Sequence, residues 1–155
     1  MKIKLIVLGT QMPSWVTAGF EEYAKRLKLF TLELHEIPLL KRTKESDLTR
    51  ILKSESQSIL QMLKPHDHLI ALEVTGKNDT TETLAEKLRT WIDENRDITL
   101  LIGGPEGLSN ECLARANSTW SLSSLTLPHP LVRIIVAEQL YRAQSILQNH
   151  PYHRG

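Results

Sequence analysis

The segment at residues 122–130, with the sequence LSSLTLPHP, constrains the fold of this chain more than any other stretch. It is too apolar for a solvated loop, and its two prolines exclude a regular helix or a central strand. Its backbone polar groups nevertheless need hydrogen-bond partners. Such a segment is either buried where the chain crosses itself or wrapped round a ligand. We interpret it as a ligand-binding segment.

A glycine-rich turn follows an apolar run. Leu100, Leu101 and Ile102 predict a buried strand, and Gly-Gly-Pro-Glu-Gly occupies residues 103–107. Three glycines in five residues let backbone groups approach a ligand without side chains in the way. A tight strand-to-helix turn explains the same sequence equally well. The pattern is neither G-x-G-x-x-G nor a P-loop, so it does not indicate a dinucleotide or a triphosphate.

Strand and helix patterns alternate five times along the chain. Strands are predicted at residues 3–8, 31–37, 68–74, 98–102 and 119–122, with a loop at residues 75–78. Helices are predicted after Ser14, from about Ser46, after the Asp79/Glu82 capping pattern, after Ser109 and from Pro130. The first of them is expected to turn Trp15, Ala18, Phe20, Tyr23, Ala24 and Leu27 toward the core. This alternation predicts one α/β domain over residues 1–155, with a mostly parallel sheet and helices on both faces.

The strand ends of such a sheet are where ligands bind, outside the carboxyl ends and at a switch point of the topology. Three of the predicted strands end in the loops at residues 72–76, 103–107 and 122–127. The two unusual segments therefore coincide with the expected ligand site.

Composition excludes several classes of protein. With 41% apolar and 24% charged residues, the 155-residue chain resembles an ordinary globular domain. No apolar run approaches the roughly 18 residues that span a bilayer, and no signal-peptide pattern opens the chain. A single cysteine, Cys112, argues against a disulfide framework, so we expect a cytoplasmic protein without a membrane partner. The net charge of +1 lacks the general footprint of a free DNA-binding protein, and we expect no DNA partner.

The C-terminal tail carries unusual chemistry. Residues 149–154 read NHPYHR, which places two histidines, a tyrosine and an arginine at a terminus that would ordinarily be frayed. No cysteine or acidic cluster accompanies His150 and His153, so we expect no metal site. Arg133 and Arg142 are nine residues apart on the predicted last helix and face opposite ways, so at most one serves a given pocket. We favour Arg133 because it lies one turn from the proline-rich segment.

The motifs together resemble a known family. LLIGGPEG at residues 100–107, SLSSLTLPHPLVR at 121–133, EQLYRA at 138–143 and PYHR at 151–154 are similar to the small SPOUT methyltransferases that methylate N3 of a pseudouridine in bacterial 23S ribosomal RNA. The resemblance also includes the N-terminal KIKLIVLGT and MPSWV and covers essentially the whole chain. It implies an α/β knot of the trefoil type near the C-terminus, a homodimer, and S-adenosylmethionine as cofactor.

The resemblance also implies roles for individual residues. The cofactor-binding positions are Leu72, Gly103, Gly104, Gly107, Leu122, Ser123, Ser124, Leu125, Thr126 and Leu127. For the imide N3–H of the target base, we expect His153 as proton acceptor or orienter and Tyr152 as stacking partner. Arg154 and Arg133 are expected on phosphate or imide oxygen. We expect the tail to act on the pocket of the partner subunit.

Two alternatives stay open. A SPOUT enzyme acting on transfer RNA should show a basic face or an added RNA-binding domain, which a 155-residue chain of net charge +1 does not offer. A non-catalytic α/β module that senses a nucleotide would use the same loops but would have no use for the tail. With so little charge, we expect the substrate to be an assembled ribosome, which presents a shaped surface.

Overall fold

The structure, a computed structural model, describes residues 1–154. Within these residues five strands alternate with five helices. The strands are β1 (Lys2–Leu8), β2 (Thr31–Ile37), β3 (His68–Asn78), β4 (Ile98–Ile102) and β5 (Ser118–Ser121). The helices are α1 (Ser14–Ala24), α2 (Leu48–Gln61), α3 (Thr81–Asp93), α4 (Asn110–Arg115) and α5 (His129–Leu147).

The strands form one sheet in the order β2-β1-β4-β3-β5, and every pairing in it is parallel. The predicted α/β class is therefore confirmed. Because parallel strands point the same way, the carboxyl ends of β3, β4 and β5 lie side by side. The loops after these three strands meet at one edge of the sheet.

Helices cover both faces of the sheet, as predicted. Along β1, Ile3, Leu5 and Val7 belong to the core cluster on one face, whereas Ile6 and Leu8 belong to the cluster on the other. This period of two is the expected geometry of a strand that is buried on both sides. Helix α5 packs against α1 and α3 on the first face, and α2 contacts α4 on the second.

Helix α1 departs from the prediction in its start and in its buried face. Its N-cap is Pro13, and Ser14 is the first helical residue rather than the cap. Trp15 is 55% exposed, and Ala18 is exposed as well. Phe20, Tyr23, Ala24 and Leu27 contribute to the core as predicted. The prediction was wrong at Trp15 and Ala18, and the buried position near the start is Val16, one step of about 100° after Trp15.

Helix α3 begins one residue later than the capping pattern indicated. Thr80 is the N-cap, and its hydroxyl accepts a hydrogen bond from the Thr83 amide at 3.0 Å. Asp79 instead forms an ion pair with Lys87. The predicted cap of α4 is confirmed, since the Ser109 hydroxyl accepts from the Cys112 amide at 3.1 Å.

The predicted loop at residues 75–78 is wrong, because β3 continues to Asn78. The pairing with β5 shifts register, so that Leu72 and Lys77 both lie opposite Trp120. The extra residues form a bulge, which bends the strand and turns the side chains around it. A Cβ on Gly76 would lie 3.0 Å from the Trp120 amide nitrogen, so this bulge favours glycine.

None of the helices between residues 1 and 154 is long and apolar enough to cross a membrane.

Candidate functional site

A cavity of about 450 Å³ opens over the carboxyl ends of β3, β4 and β5. Its size is within the range of small-molecule sites. Nine of the ten predicted cofactor-binding residues line it: Leu72, Gly103, Gly104, Gly107, Leu122, Ser123, Leu125, Thr126 and Leu127. The tenth, Ser124, is exposed and does not line the cavity. The structure therefore brings together the three loops that the sequence singled out.

Further residues line the cavity that the sequence analysis did not assign. They are Glu73, Val74, Ile102, Pro105, Trp120, Pro128, His129 and Val132. Four of these eight, Glu73, Ile102, Pro105 and Pro128, adjoin a predicted position in the chain, so proximity to the motifs was an available signal for them. Because apolar side chains dominate the wall, a ligand would be held by burial and by backbone groups rather than by charge.

Serine side chains hold the start of the proline-rich segment in place. The Ser121 hydroxyl lies 2.9 Å from the Val74 carbonyl oxygen and 3.0 Å from that of Ser123. The Ser123 hydroxyl accepts from the Leu125 amide at 3.0 Å. Leu125 itself is 71% exposed at the mouth of the cavity. The segment thus satisfies part of its backbone locally and leaves an apolar side chain toward the ligand space.

The glycine-rich turn is closed on itself. The Gly107 amide donates to the Gly104 carbonyl at 2.9 Å, and Gly107 has a φ of +78°, which favours glycine. A Cβ on Gly103 would lie 2.7 Å from the Gly107 carbonyl carbon. Gly103 is therefore required by the turn itself, which supports the structural explanation of the glycines, and their contact with a ligand stays a prediction. The glycine closes the turn, and the closed turn forms a wall of the cavity.

His129 is the titratable ring in this wall. Its Nε2 is buried and has no hydrogen-bond partner among residues 1–154. Burial lowers the pKa of His129, and the nearby charge of Arg133 lowers it further, although the backbone of Gly103 and Leu8 acts in the opposite direction. His129 is thus neutral at neutral pH, so its ring does not repel a cationic group in the cavity.

Arg133 lies behind the cavity wall and does not line it. It is 2% exposed, and its Nη1 donates to the Glu36 carboxylate at 3.0 Å. Its Nη2 is 3.5 Å from the Gly9 carbonyl oxygen. Arg133 lies one helical turn after His129. Its side chain points to the ends of β1 and β2, where Glu36 supplies the carboxylate that a buried cation requires.

Tyr152, which follows helix α5 in the chain, packs back against that helix. Its hydroxyl donates to Glu138 at 3.1 Å, and its ring meets Tyr141 edge-on with centroids 4.7 Å apart. The Arg142 guanidinium lies 4.8 Å from the centre of the same ring. Burial and the Glu138 carboxylate raise the pKa of Tyr152 to about 12. The phenol therefore stays protonated near neutrality.

His153 bridges α5 and α3. Its Nε2 is 3.0 Å from the Glu82 carboxylate, and its Nδ1 is 3.3 Å from Arg142 Nη1. Since a guanidinium can only donate, Nδ1 accepts and the proton sits on Nε2. Arg154 is exposed, and its Nε is 3.4 Å from the Pro151 carbonyl oxygen.

The tail and the cavity of one chain do not meet. The cavity reaches His129 and Val132 at the start of α5, whereas the tail packs against residues 138–142. With a rise of about 1.5 Å per residue, Val132 and Tyr141 are separated by roughly 14 Å along the helix. The sequence analysis did not predict that Glu82, Glu138 and Arg142 contact the tail. The i,i+4 spacing of Glu138 and Arg142 was nevertheless a signal for an ion pair. The structure joins that pair, with Arg142 Nε donating to Glu138 at 2.8 Å.

No group of three or more His, Cys, Asp or Glu side chains in residues 1–154 is placed to hold a metal ion.

Comparisons with known proteins agree with this architecture. The family model described as "Predicted SPOUT methyltransferase" matches residues 1–153. A protein of Marinomonas sp. (strain MWYL1), named ribosomal RNA large subunit methyltransferase H, is 50% identical over 155 residues, covering 99% of this chain and 100% of that protein.

Solved structures resemble the fold at low sequence identity. A probable methylase family protein from Haemophilus influenzae Rd KW20 superposes with a TM-score of 0.60 at 14% identity, covering 99% of this chain and 70% of that one. A probable methyltransferase from Bordetella pertussis Tohama I gives a TM-score of 0.58 at 16% identity, covering 91% and 95%. At such identity the likeness concerns the fold alone.

We predict that His129 makes the fold sensitive to mild acid. The folded state holds the pKa of His129 below its unfolded value, so below about pH 6.5 the unfolded chain binds more protons and stability falls. His129→Gln should therefore lose less free energy of unfolding than wild type between pH 7.5 and pH 5, as measured by urea titration. The exposed loop residue His66, changed to glutamine, is the control. Equal acid losses in wild type and His129→Gln would contradict the assignment. His68, whose pKa burial also lowers, is unchanged in both proteins.

Proposed function

The chain belongs to the SPOUT methyltransferase family, and from this premise we propose that it transfers a methyl group from S-adenosylmethionine to N3 of a pseudouridine in large-subunit ribosomal RNA. One observation carries the choice of substrate, namely the 50% identity over the whole chain to a ribosomal RNA large subunit methyltransferase H. The solved structures, at 14% and 16% identity, bear on the fold and not on the RNA. The knotted threading that the resemblance implies stays a prediction.

The cavity suits the proposed cofactor. Its apolar wall and the backbone of the glycine-rich turn offer contacts for a flat base and its sugar, and neutral His129 does not repel a positive charge. We assign the cofactor-binding role to the nine predicted residues that line the cavity, and not to Ser124, which is exposed outside it. When bound, S-adenosylmethionine supplies an activated methyl group on a sulfonium, so the protein has to position the acceptor nitrogen and manage its proton.

The tail supplies groups for the base. In one chain both ring nitrogens of His153 are engaged, Nδ1 by Arg142 and Nε2 by Glu82, which supports its role as an orienting group more than as a free proton acceptor. Tyr152 stays protonated and can donate or stack but does not serve as a base. Arg154 is exposed and has donors available for a phosphate or an imide oxygen.

Arg133 has a different position from the other proposed catalytic residues. At 2% exposure and paired with Glu36, its guanidinium has no direct route to RNA in this arrangement. We therefore propose that it acts behind the wall, where its charge adds to the larger effect of burial in lowering the pKa of His129, and that Arg154 contacts the RNA.

The cofactor assignment predicts which substitutions remove binding. Gly103→Val places a Cβ against the Gly107 backbone and should open the turn, and Leu125→Asp puts a charge into the apolar mouth. Both should weaken S-adenosylmethionine binding at least tenfold in calorimetry, an effect of about 1.4 kcal/mol. Leu48→Asp, on the exposed side of α2, is the matched control. Undiminished binding by a folded Gly103→Val protein would rule out the site.

The separation of tail and cavity predicts a homodimer. A tail that packs away from its own cavity can complete the cavity of a second copy, so we expect the active species to have twice the 17.7 kDa mass of one chain. A stable interface should bury on the order of 1,200–2,000 Å² in total. Sedimentation equilibrium checks this expectation. A monomer with full activity at micromolar concentration would overturn it.

The tail assignment predicts a split between binding and catalysis. Removing residues 151–155 should leave cofactor affinity nearly unchanged and abolish methylation of ribosomes. A methyl on N3 blocks base pairing, so arrest of reverse transcriptase reports the product. A variant lacking only residue 155 is the control, and a wild-type arrest signal from the longer truncation would refute the role of the tail.

The same assay tests the assembled ribosome as substrate. A dimer of net charge about +2 (twice +1) gains little from non-specific attraction, since each phosphate contact adds about 0.7–0.9 to the salt slope and requires a basic group. Shape must then supply the specificity. Efficient methylation of protein-free ribosomal RNA, or of transfer RNA, would contradict this expectation.

A further inference from the structure

Arg42 stands out because each of its five N–H donors has a partner. Nε donates to Glu106 Oε1 at 2.8 Å, and Nη2 donates to Glu106 Oε2 at 2.8 Å and to Glu55 Oε1 at 2.7 Å. Nη1 donates to Glu55 Oε2 at 3.0 Å and to the Leu40 carbonyl oxygen at 2.8 Å. A planar guanidinium that satisfies its whole fork on two carboxylates and one carbonyl is held in a single orientation.

Glu55 fixes the other end of this cluster. It is 3% exposed on α2, and its Oε2 also accepts from the Leu40 amide at 3.0 Å. The side chain of Arg42 is 21% exposed, so the Arg42–Glu55 pair is not a surface ion pair of the weak, solvent-screened kind. Removing the cation would leave Glu55 buried without its counter-charge.

Glu106 connects the cluster to the cavity. It is the fourth residue of the turn Gly103–Gly104–Pro105–Glu106–Gly107, whose three glycines line the ligand space. Arg42 holds the pKa of Glu106 below its usual range, so the pair stays charged. Residues 105–107 are exposed, and the internal bond from Gly107 to Gly104 does not tie them to the rest of the protein.

The segment before Arg42 supports the same turn by packing. A Cβ on Gly104 would lie 3.1 Å from Leu39 Cδ2, which shows how closely this segment covers the turn. Leu39 and Arg42 therefore contact the outer side of a loop whose inner side faces the cavity.

We propose that Arg42 is a positioning residue for the cofactor site, which fixes the glycine-rich turn to α2 through Glu106 and Glu55. The inference rests on the proposed function, because it assumes that the turn binds S-adenosylmethionine. A turn held in its binding conformation loses less freedom when the ligand binds, so the affinity depends on the cluster although Arg42 does not line the cavity. Lysine cannot replace it fully, since an ammonium lacks the planar fork that engages two carboxylates at once.

The test compares Arg42→Gln, Arg42→Lys, Glu106→Gln and the double variant Arg42→Gln/Glu106→Gln. Arg50→Gln, exposed on α2, is the matched control. Calorimetry should show S-adenosylmethionine binding about tenfold weaker for Arg42→Gln, with an intermediate loss for Arg42→Lys and none for Arg50→Gln. The double variant should be no worse than the worse single variant, because both changes break one unit.

Two further measurements separate positioning from general stability. Hydrogen exchange of the amides at residues 103–108, except Pro105, should accelerate in Arg42→Gln while exchange in the sheet is unchanged. In the methyl-transfer assay, the KM for S-adenosylmethionine should rise by about the same factor as the dissociation constant, and kcat at saturation should stay within about twofold of wild type.

The outcomes distinguish this inference from the function on which it rests. If wild type fails to bind S-adenosylmethionine, the proposed function falls. If wild type binds it and Arg42→Gln binds equally well, the positioning role is wrong and the function stands. A lower melting temperature for Arg42→Gln with unchanged affinity and unchanged exchange at residues 103–108 would likewise reduce Arg42 to a stabilising residue.

Discussion

The site of this protein depends on the parallel arrangement of its sheet. Since every pairing is parallel, the carboxyl ends of the strands share one edge, and loops that are distant in sequence meet there. Burial on both faces makes this arrangement rigid, because β1 and β4 send side chains into two separate clusters. The cavity is therefore a consequence of the topology, and its wall is built from whatever follows β3, β4 and β5. The unusual composition of these loops is their adaptation to that position.

Arginine–carboxylate pairs of buried or partly buried side chains occur at three places in the fold. Arg42 is held between Glu55 and Glu106, Arg133 faces Glu36, and Arg142 binds Glu138. Each arginine joins segments that the hydrophobic core alone does not fix: a loop to a helix, a helix to a strand end, and the tail to its helix. A buried guanidinium without its carboxylate would be costly, so each pair enforces one geometry rather than adding much net stability.

Helix α5 connects the cavity to the C-terminal tail and sets the distance between them. Its start carries His129 into the cavity wall, and its later turns bind the tail through Glu138, Tyr141 and Arg142. The stiffness of a 19-residue helix keeps the regions apart within one chain. A second copy is the simplest way to bring a tail to a cavity, which is why the homodimer and the tail's role are linked in the proposed function.

The sequence by itself determined the fold class and the five strands, because these follow from local patterns. Its resemblance to a known family pointed to ten further positions, of which nine line the cavity. Hydrophobic periodicity marks buried strands, and prolines or clustered glycines mark segments that regular structure cannot contain. Tertiary structure alone decided the rest. The continuation of β3 through residues 75–78 depends on pairing with β5, and the burial of Val16 in place of Trp15 depends on how α1 is rotated against α5. Arg133 lies outside the cavity because it pairs with Glu36, which is 97 positions away in the chain. Arg42 binds Glu106, which is 64 positions away. No local pattern encodes such distances, since they are fixed only when the elements pack.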